Sequence, residues 1–201
     1  MRLTQISALA ALVLTGTVEA ASPTTSPELY ELEILIFQTN LSYLEGEELW
    51  TQDVVDTKLP GIAKAVNVGN IPTPDSKLSK AAITLEADGN YRVLVHRRWQ
   101  QEAKPRSEAD WVHIRTLTTG QPELEGTLRF YQGRYLHVNI ELLFRESNLR
   151  SLALVSAEDS VPRVYRISEH RRIRGRDVNY VDHPKFGALV QVTPVEEKES
   201  E

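Results

Sequence analysis

Hydrophobic and polar residues alternate along most of this chain, and a period of two is the signature of strands. Tyr30 to Phe37, Y-E-L-E-I-L-I-F, starts in alternation and ends as a continuous apolar run. That pattern predicts a strand entering a sheet centrally, half covered at first and then buried on both faces. Tyr91 to Gln100 predicts a second strand, with Tyr91, Val93, Val95 and Trp99 on one face and Arg92, Leu94, His96 and Arg98 on the other. In Trp111 to Leu117, Val112, Ile114 and Thr116 stand opposite His113 and Arg115. Leu124 to Arg145 reads as a hairpin that reverses at Gln132-Gly133, the glycine supplying a positive φ for the tight turn. Its second arm turns Leu136, Val138, Ile140, Leu142 and Phe144 inward and Tyr135, His137, Asn139 and Glu141 outward.

The stretch Val161 to Pro194 organises the rest. Six arginines fall between Arg163 and Arg176. Alternation places Tyr165, Ile167 and Ile173 on one face and Arg166, Ser168, His170, Arg172 and Arg174 on the other, so one strand carries an apolar side and a cationic ladder. Asp182-His183-Pro184 then turns the chain, His183 held extended by the following proline and Gly187 completing the reversal, before a last strand over Phe186 to Pro194. One helix is predicted between a cap at Asp75 or Ser76 and a stop at Gly89, because Leu78, Ala81, Ala82 and Leu85 recur at helical spacing. Asn40 to Asp75 reads as a long excursion with little regular structure, and Glu146 to Pro162 as a second polar loop. Strands dominate and hairpins follow one another. The fold class is therefore α+β: a mainly antiparallel β-sheet, able to curve toward a half-barrel, with one short amphipathic helix packed on it.

Composition narrows the setting. The first twenty residues carry one cation at Arg2, an apolar run from Ile6 to Val18, and small residues before Ala20, the pattern of a signal peptide cleaved after Ala20. No other segment approaches membrane-spanning length, so no membrane insertion is expected after cleavage. Residues 21–27 form a flexible leader, 28–195 a single antiparallel-sheet domain, and 196–201 an acidic, disordered tail. The chain has no cysteine, which removes disulfides, thiolate metal sites, cysteine nucleophiles and an N-terminal lipid anchor together. The expected compartment is the periplasm. A net charge of −5 for an exported chain leaves no basic domain for nucleic acid.

No residue constellation for catalysis stands out. His137 and Glu141 share a strand face but lie about 13 Å apart by the rise per residue, too far for one ion held by that strand alone. Only convergence of His113, His137, His170 and His183 from neighbouring strands would build a metal site. No serine sits in a G-x-S-x-G elbow or S-x-x-K, and no glycine loop cradles phosphate. The cationic ladder has two readings: a solvated strand face, or a surface that pairs guanidinium groups with carboxylates. Trp99 with Arg97-Arg98, near Tyr131 and Tyr135, likewise reads either as core and rim packing or as an aromatic–cationic surface for sugars and carboxylates.

Four stretches carry a resemblance to a known family: Y-E-L-E-I-L-I-F, L-V-H-R-R-W-Q-Q at Leu94 to Gln101, G-R-Y-L-H-V at Gly133 to Val138, and R-R-I-R-G-R-D-V-N-Y-V-D-H-P-K-F-G at Arg171 to Gly187. Together they resemble the CsiV family of periplasmic peptidoglycan-binding, cell-shape-integrity proteins, over nearly the whole mature chain. The chain departs from that pattern at Asn179 and Ile173, where the family shows histidine and methionine. The resemblance implies a non-enzymatic protein supporting cell-wall assembly, acting with a lipoprotein activator of a penicillin-binding protein, and needing no cofactor. On this reading the ligand-binding residues are Arg166, His170, Arg172, Arg174, Tyr180, His183, Trp99, Tyr135 and His137. A metal-dependent wall hydrolase and a protein-only periplasmic adaptor are the alternatives.

Overall fold

The structure, a computed structural model, describes residues 28–40, 55–118, 121–146 and 163–196. The expected signal peptide and leader, residues 41–54 of the long excursion, residues 147–162 and the tail beyond Glu196 lie outside the described residues. Among them run eight strands: β1 (Leu29–Thr39), β2 (Tyr91–Glu102), β3 (Trp111–Thr118), β4 (Gln121–Gln132), β5 (Leu136–Glu146), β6 (Arg163–Ile173), β7 (Val178–His183) and β8 (Phe186–Pro194). A helix, α1 (Ser79–Ala87), and a short 3-10 turn, Ile62–Lys64, join them. The strands form two antiparallel four-stranded sheets, ordered β2-β1-β8-β7 and β3-β4-β5-β6.

The two sheets share one core. Leu32, Ile34 and Ile36 of β1 meet Leu128 and Phe130 of β4 and Ile140 and Leu142 of β5, all buried. Tyr30 meets Phe130 edge to face at 5.3 Å and Phe144 meets Phe186 at 5.5 Å. Each such side chain contributes about 1.5–3 kcal/mol by leaving water. The apolar run of β1 is explained by its place second from an edge, covered by the facing sheet on one side and by α1 over Leu35 on the other. A half-barrel does not form. The chain leaves the first sheet after β2 and returns to it only at β7, no ladder joins β2 to β3 or β6 to β7, and so the strands stack as two layers.

The second strand departs from strict alternation. Ile36 pairs with Val95 but Phe37 pairs with Val93, so Leu94 is an extra residue, a bulge. Val93 therefore packs under α1, while Leu94 and Val95 join the core between the sheets. The hairpin of β4 and β5 forms in the expected register, and its inward residues Val138, Ile140, Leu142 and Phe144 are buried. Gly133 does not take a positive φ, however; the turn spans Gly133 to Tyr135 and closes with the Gly133 N–H donating to the Tyr135 carbonyl at 2.9 Å. The β7–β8 reversal is made by Pro184-Lys185 alone, since His183 already pairs with Phe186. Gly187 belongs to β8, where a Cβ would stand 2.9 Å from the Phe37 ring.

Residues 55–75 show little regular structure, as expected, but guanidinium groups pin them. Arg166 donates to the carbonyls of Asp56 (2.5 Å) and Lys58 (3.0 Å), and Arg97 to Val68 (2.7 Å). Arg98 donates to the Pro72 carbonyl at 2.6 Å, and Thr127 to Pro60 at 2.8 Å. The segment thus crosses the outer face of the second sheet from β6 toward β3, adds a bridge at Val66 to Val112, and then runs along β2. It covers one end of that face and leaves the other open.

Candidate functional site

The open end lies where β4, β5 and β6 run side by side. Register places Tyr131 opposite His137 and His137 opposite Arg172, so three outward side chains stand abreast. With His170 they form a stack: Tyr131 to His137 at 5.1 Å, His137 to His170 at 5.1 Å, all rings within about 21° of parallel. His170 Nε2 is 3.0 Å from the Tyr131 hydroxyl and 3.1 Å from His137 Nδ1. Tyr135, at the end of the turn, is 39% exposed, and the Arg172 guanidinium lies over its ring at 3.2 Å with that of Arg134 at 5.5 Å. A further cation, Arg106, lies 5.6 Å over Tyr131. Its loop is fixed by a bridge between Pro105 and Gln132.

Charge on this patch is unbalanced. Arg106, Arg134 and Arg172 form no ion pair with a carboxylate among the described residues. Burial, then the positive charge of His170, Arg172 and Arg106, holds His137 below the ordinary histidine pKa. The guanidinium groups supply a permanent positive charge at the site. Behind them Asn139 Oδ1 is buried and has no hydrogen-bond partner among the described residues. The arrangement offers the exposed Tyr135 ring and forked cations to one ligand. That suits a carboxylate attached to a polyhydroxylated group.

The other sequence candidates lie elsewhere. Arg166, on the same face, is committed: it pairs with Glu141 at 2.6 Å as well as the two carbonyls, and Ser168 takes the other Glu141 oxygen at 2.9 Å. Arg174 lies just past the end of β6, exposed, and is not part of the ladder. Trp99 is 2% exposed and belongs to the core, its Nε1 donating to Gln101 at 2.8 Å, so it offers no face to a ligand. It sits opposite Leu32 and follows Val95 by alternation onto the core side. Tyr180 and His183 belong to β7, in the other sheet. Tyr180 stacks on Phe37, and His183 sits half-buried between Tyr165 and Phe186, where desolvation lowers its pKa. Of the four histidines considered as ligands, His137 and His170 meet; His113 on β3 and His183 do not join them.

A second polar cluster escaped sequence reading. Glu33 is 3% exposed, with His96 Nε2 2.6 Å from its Oε1. The Ser76 hydroxyl donates to the same carboxylate, and so does the Leu78 N–H at 3.2 and 3.3 Å. Serine, histidine and glutamate meet here without a hydrolytic arrangement. Glu33 and Ser76 crowd the same ring nitrogen, at 2.6 and 3.4 Å, and the hydroxyl proton is spent on the carboxylate. The cluster instead caps α1. The N-cap residue, Leu78, makes no side-chain cap, and neither Asp75 nor Ser76 serves as one; a strand carboxylate does.

A family model described as peptidoglycan-binding protein CsiV matches residues 6–195. The chain belongs to the CsiV family. No curated protein and no solved structure matches it. The matched span includes both arms of the CsiV hairpin that carry Tyr131, Tyr135 and His137, and the strand that carries His170 and Arg172. Arg106 and Arg134 were missed as site residues in the sequence. Arg134 was findable, lying in the turn beside Tyr135. Arg106 was not, because it reaches Tyr131 from a separate loop.

Proposed function

We propose that this CsiV-family chain is a non-enzymatic periplasmic protein that holds peptidoglycan on the outer face of its second sheet. The observation that carries the reading is the convergence of Arg134 and Arg172 on the exposed Tyr135 ring, with Arg106 beside them over the buried Tyr131 and no carboxylate among the described residues to answer them. Stem peptides supply free carboxylates, which forked guanidinium groups bind in pairs, and glycan rings lie flat on aromatic faces. Tyr135 and Arg172 form the contact edge; His137 and His170 hold Tyr131 in place behind them. Held to the wall in this way, the protein supports wall assembly and cell shape by acting with a lipoprotein activator of a peptidoglycan synthase, as the resemblance to its family implies.

The test is co-sedimentation of the mature protein with purified, deproteinised sacculi. Arg172→Ala with Arg106→Ala lowers the bound fraction at least about tenfold if two charge-assisted contacts are lost. An Arg174→Ala control, outside the ladder, leaves it unchanged. Retention of the double variant at the wild-type level overturns the site. Loss of all binding once the sacculi are stripped of protein would transfer the function to a protein-only adaptor.

A further inference from the structure

On the opposite outer face of the molecule, the described residues cover only half of sheet β2-β1-β8-β7. One helix is about 10 Å across and four strands are about 14 Å from first to last, so α1 cannot cover them all. It packs over Leu35, Val93 and Leu189, at the β2 side and centre. Beside it a groove of about 640 Å³ opens toward β7, floored by Phe37, Tyr180 and Leu189 and walled by Ala81 and Leu85. Val178 and Tyr180 stand 50% and 53% exposed along it. Bulky apolar side chains left in water along a groove mark a contact surface. The charged groups lining the groove are Lys77 and Lys80, both exposed and neither in an ion pair among the described residues. The N-terminus of α1 does not supply an anion site, since Glu33 already accepts the Leu78 N–H.

We infer that this groove docks an amphipathic helix of a partner protein, laid alongside α1 on β7 and β8, with acidic residues flanking its apolar stripe. The geometry selects a helix. The uncovered strip lies beside α1 at the spacing of a neighbouring helix axis, about 8–10 Å, and a second helix completes the layer that covers an apolar sheet face. The charge selects an acidic flank: two unanswered lysines on one wall and no acid in the lining. Tyr180 is the anchor. It stacks on Phe37, its ring centroid 6.4 Å away and 5° from parallel, so its position is fixed before the partner arrives. Because this face and the Tyr135–Arg172 face lie on opposite sides of the two stacked sheets, one molecule engages both ligands at once.

The experiment titrates the mature protein with labelled helical peptides of about 18 residues, leucine at i, i+3, i+4 and i+7, flanked either by glutamate or by lysine. The glutamate-flanked peptide binds at least about tenfold tighter than the lysine-flanked one. Val178→Ser with Tyr180→Ala weakens it by at least about tenfold, and Lys77→Glu with Lys80→Glu reverses the preference between the peptides. Sacculus binding by these variants stays at the wild-type level, which separates a failure here from a failure of the peptidoglycan reading. Equal affinity for the two peptides, or affinity indifferent to Tyr180→Ala, overturns the proposal. So does binding to phosphatidylglycerol vesicles in place of either peptide. Concentration-dependent self-association abolished by Tyr180→Ala also overturns it, assigning the groove to a second copy of this chain.

Discussion

Replacing Glu33 by alanine tests how α1 is held on its sheet. The carboxylate is 3% exposed and accepts from the Ser76 hydroxyl, the Leu78 N–H and His96. Removal leaves all three donors facing a dry space. Hydrogen bonds to a charged group contribute about 1.5–3 kcal/mol each, but these three share one acceptor and do not add. Leaving a buried donor unsatisfied costs about 1–3 kcal/mol, and for three donors that share one acceptor we take about 4 for Glu33→Ala. In a domain of this size about 2–4 °C of Tm accompanies each kcal/mol, so the midpoint falls by about 8–16 °C. Glu33→Gln keeps one oxygen and the shape, and costs about half as much. Urea unfolding measures the loss, and amide exchange locates it: protection falls first across Ser79–Ala87. A change under about 0.5 kcal/mol, the range of an exposed surface site, would refute the capping role.

Three further outcomes follow from the packing and the charges. Gly126→Ala places a methyl group 2.3 Å from the Glu141 carbonyl oxygen, a backbone atom that cannot step aside, and costs at least about 1–3 kcal/mol by urea unfolding; a neutral substitution would contradict the β4–β5 spacing. Trp99→Ala lowers stability by about 3–5 kcal/mol, yet sacculus binding per folded molecule is unchanged, because Trp99 lies in the core. Burial holds His183 below the ordinary value of 6.5, so the unfolded chain takes up more protons than the folded one as pH falls past that value. Stability contributed by neutral His183 is therefore present above 6.5 and declines toward the folded pKa. Chemical denaturation at about pH 7.5 and about pH 5.5 shows a smaller loss in His183→Phe than in the wild type; equal losses contradict the assignment.

Most of the strand pattern was legible because one face of each strand is buried and the other is not. The inward set of the second hairpin arm, Leu136 to Phe144, and the apolar side of β6 at Ile167 and Ile173 follow alternation alone. Alternation failed where one residue was inserted. The Leu94 bulge turns Tyr91 and Val93 away from the face that Val95 and Trp99 share, and Val93 packs under α1 instead. Periodicity also says nothing about which sheet a strand joins. For that reason Tyr180 and His183 were grouped with Arg172 in the sequence, although β7 belongs to the other layer. The ladder itself was only partly free: Arg166 shares its face with Arg172, but Glu141 stands one strand away and claims it. Partners separated by 25 residues, or by 63 as in Glu33 and His96, leave no local trace.

The most direct measurement compares binding to native sacculi with binding to sacculi whose peptide carboxylates have been converted to amides. The account predicts that amidation lowers affinity for the wild type at least about tenfold and has little further effect on the Arg172→Ala, Arg106→Ala variant. Equal affinity of the wild type for native and amidated sacculi would contradict it.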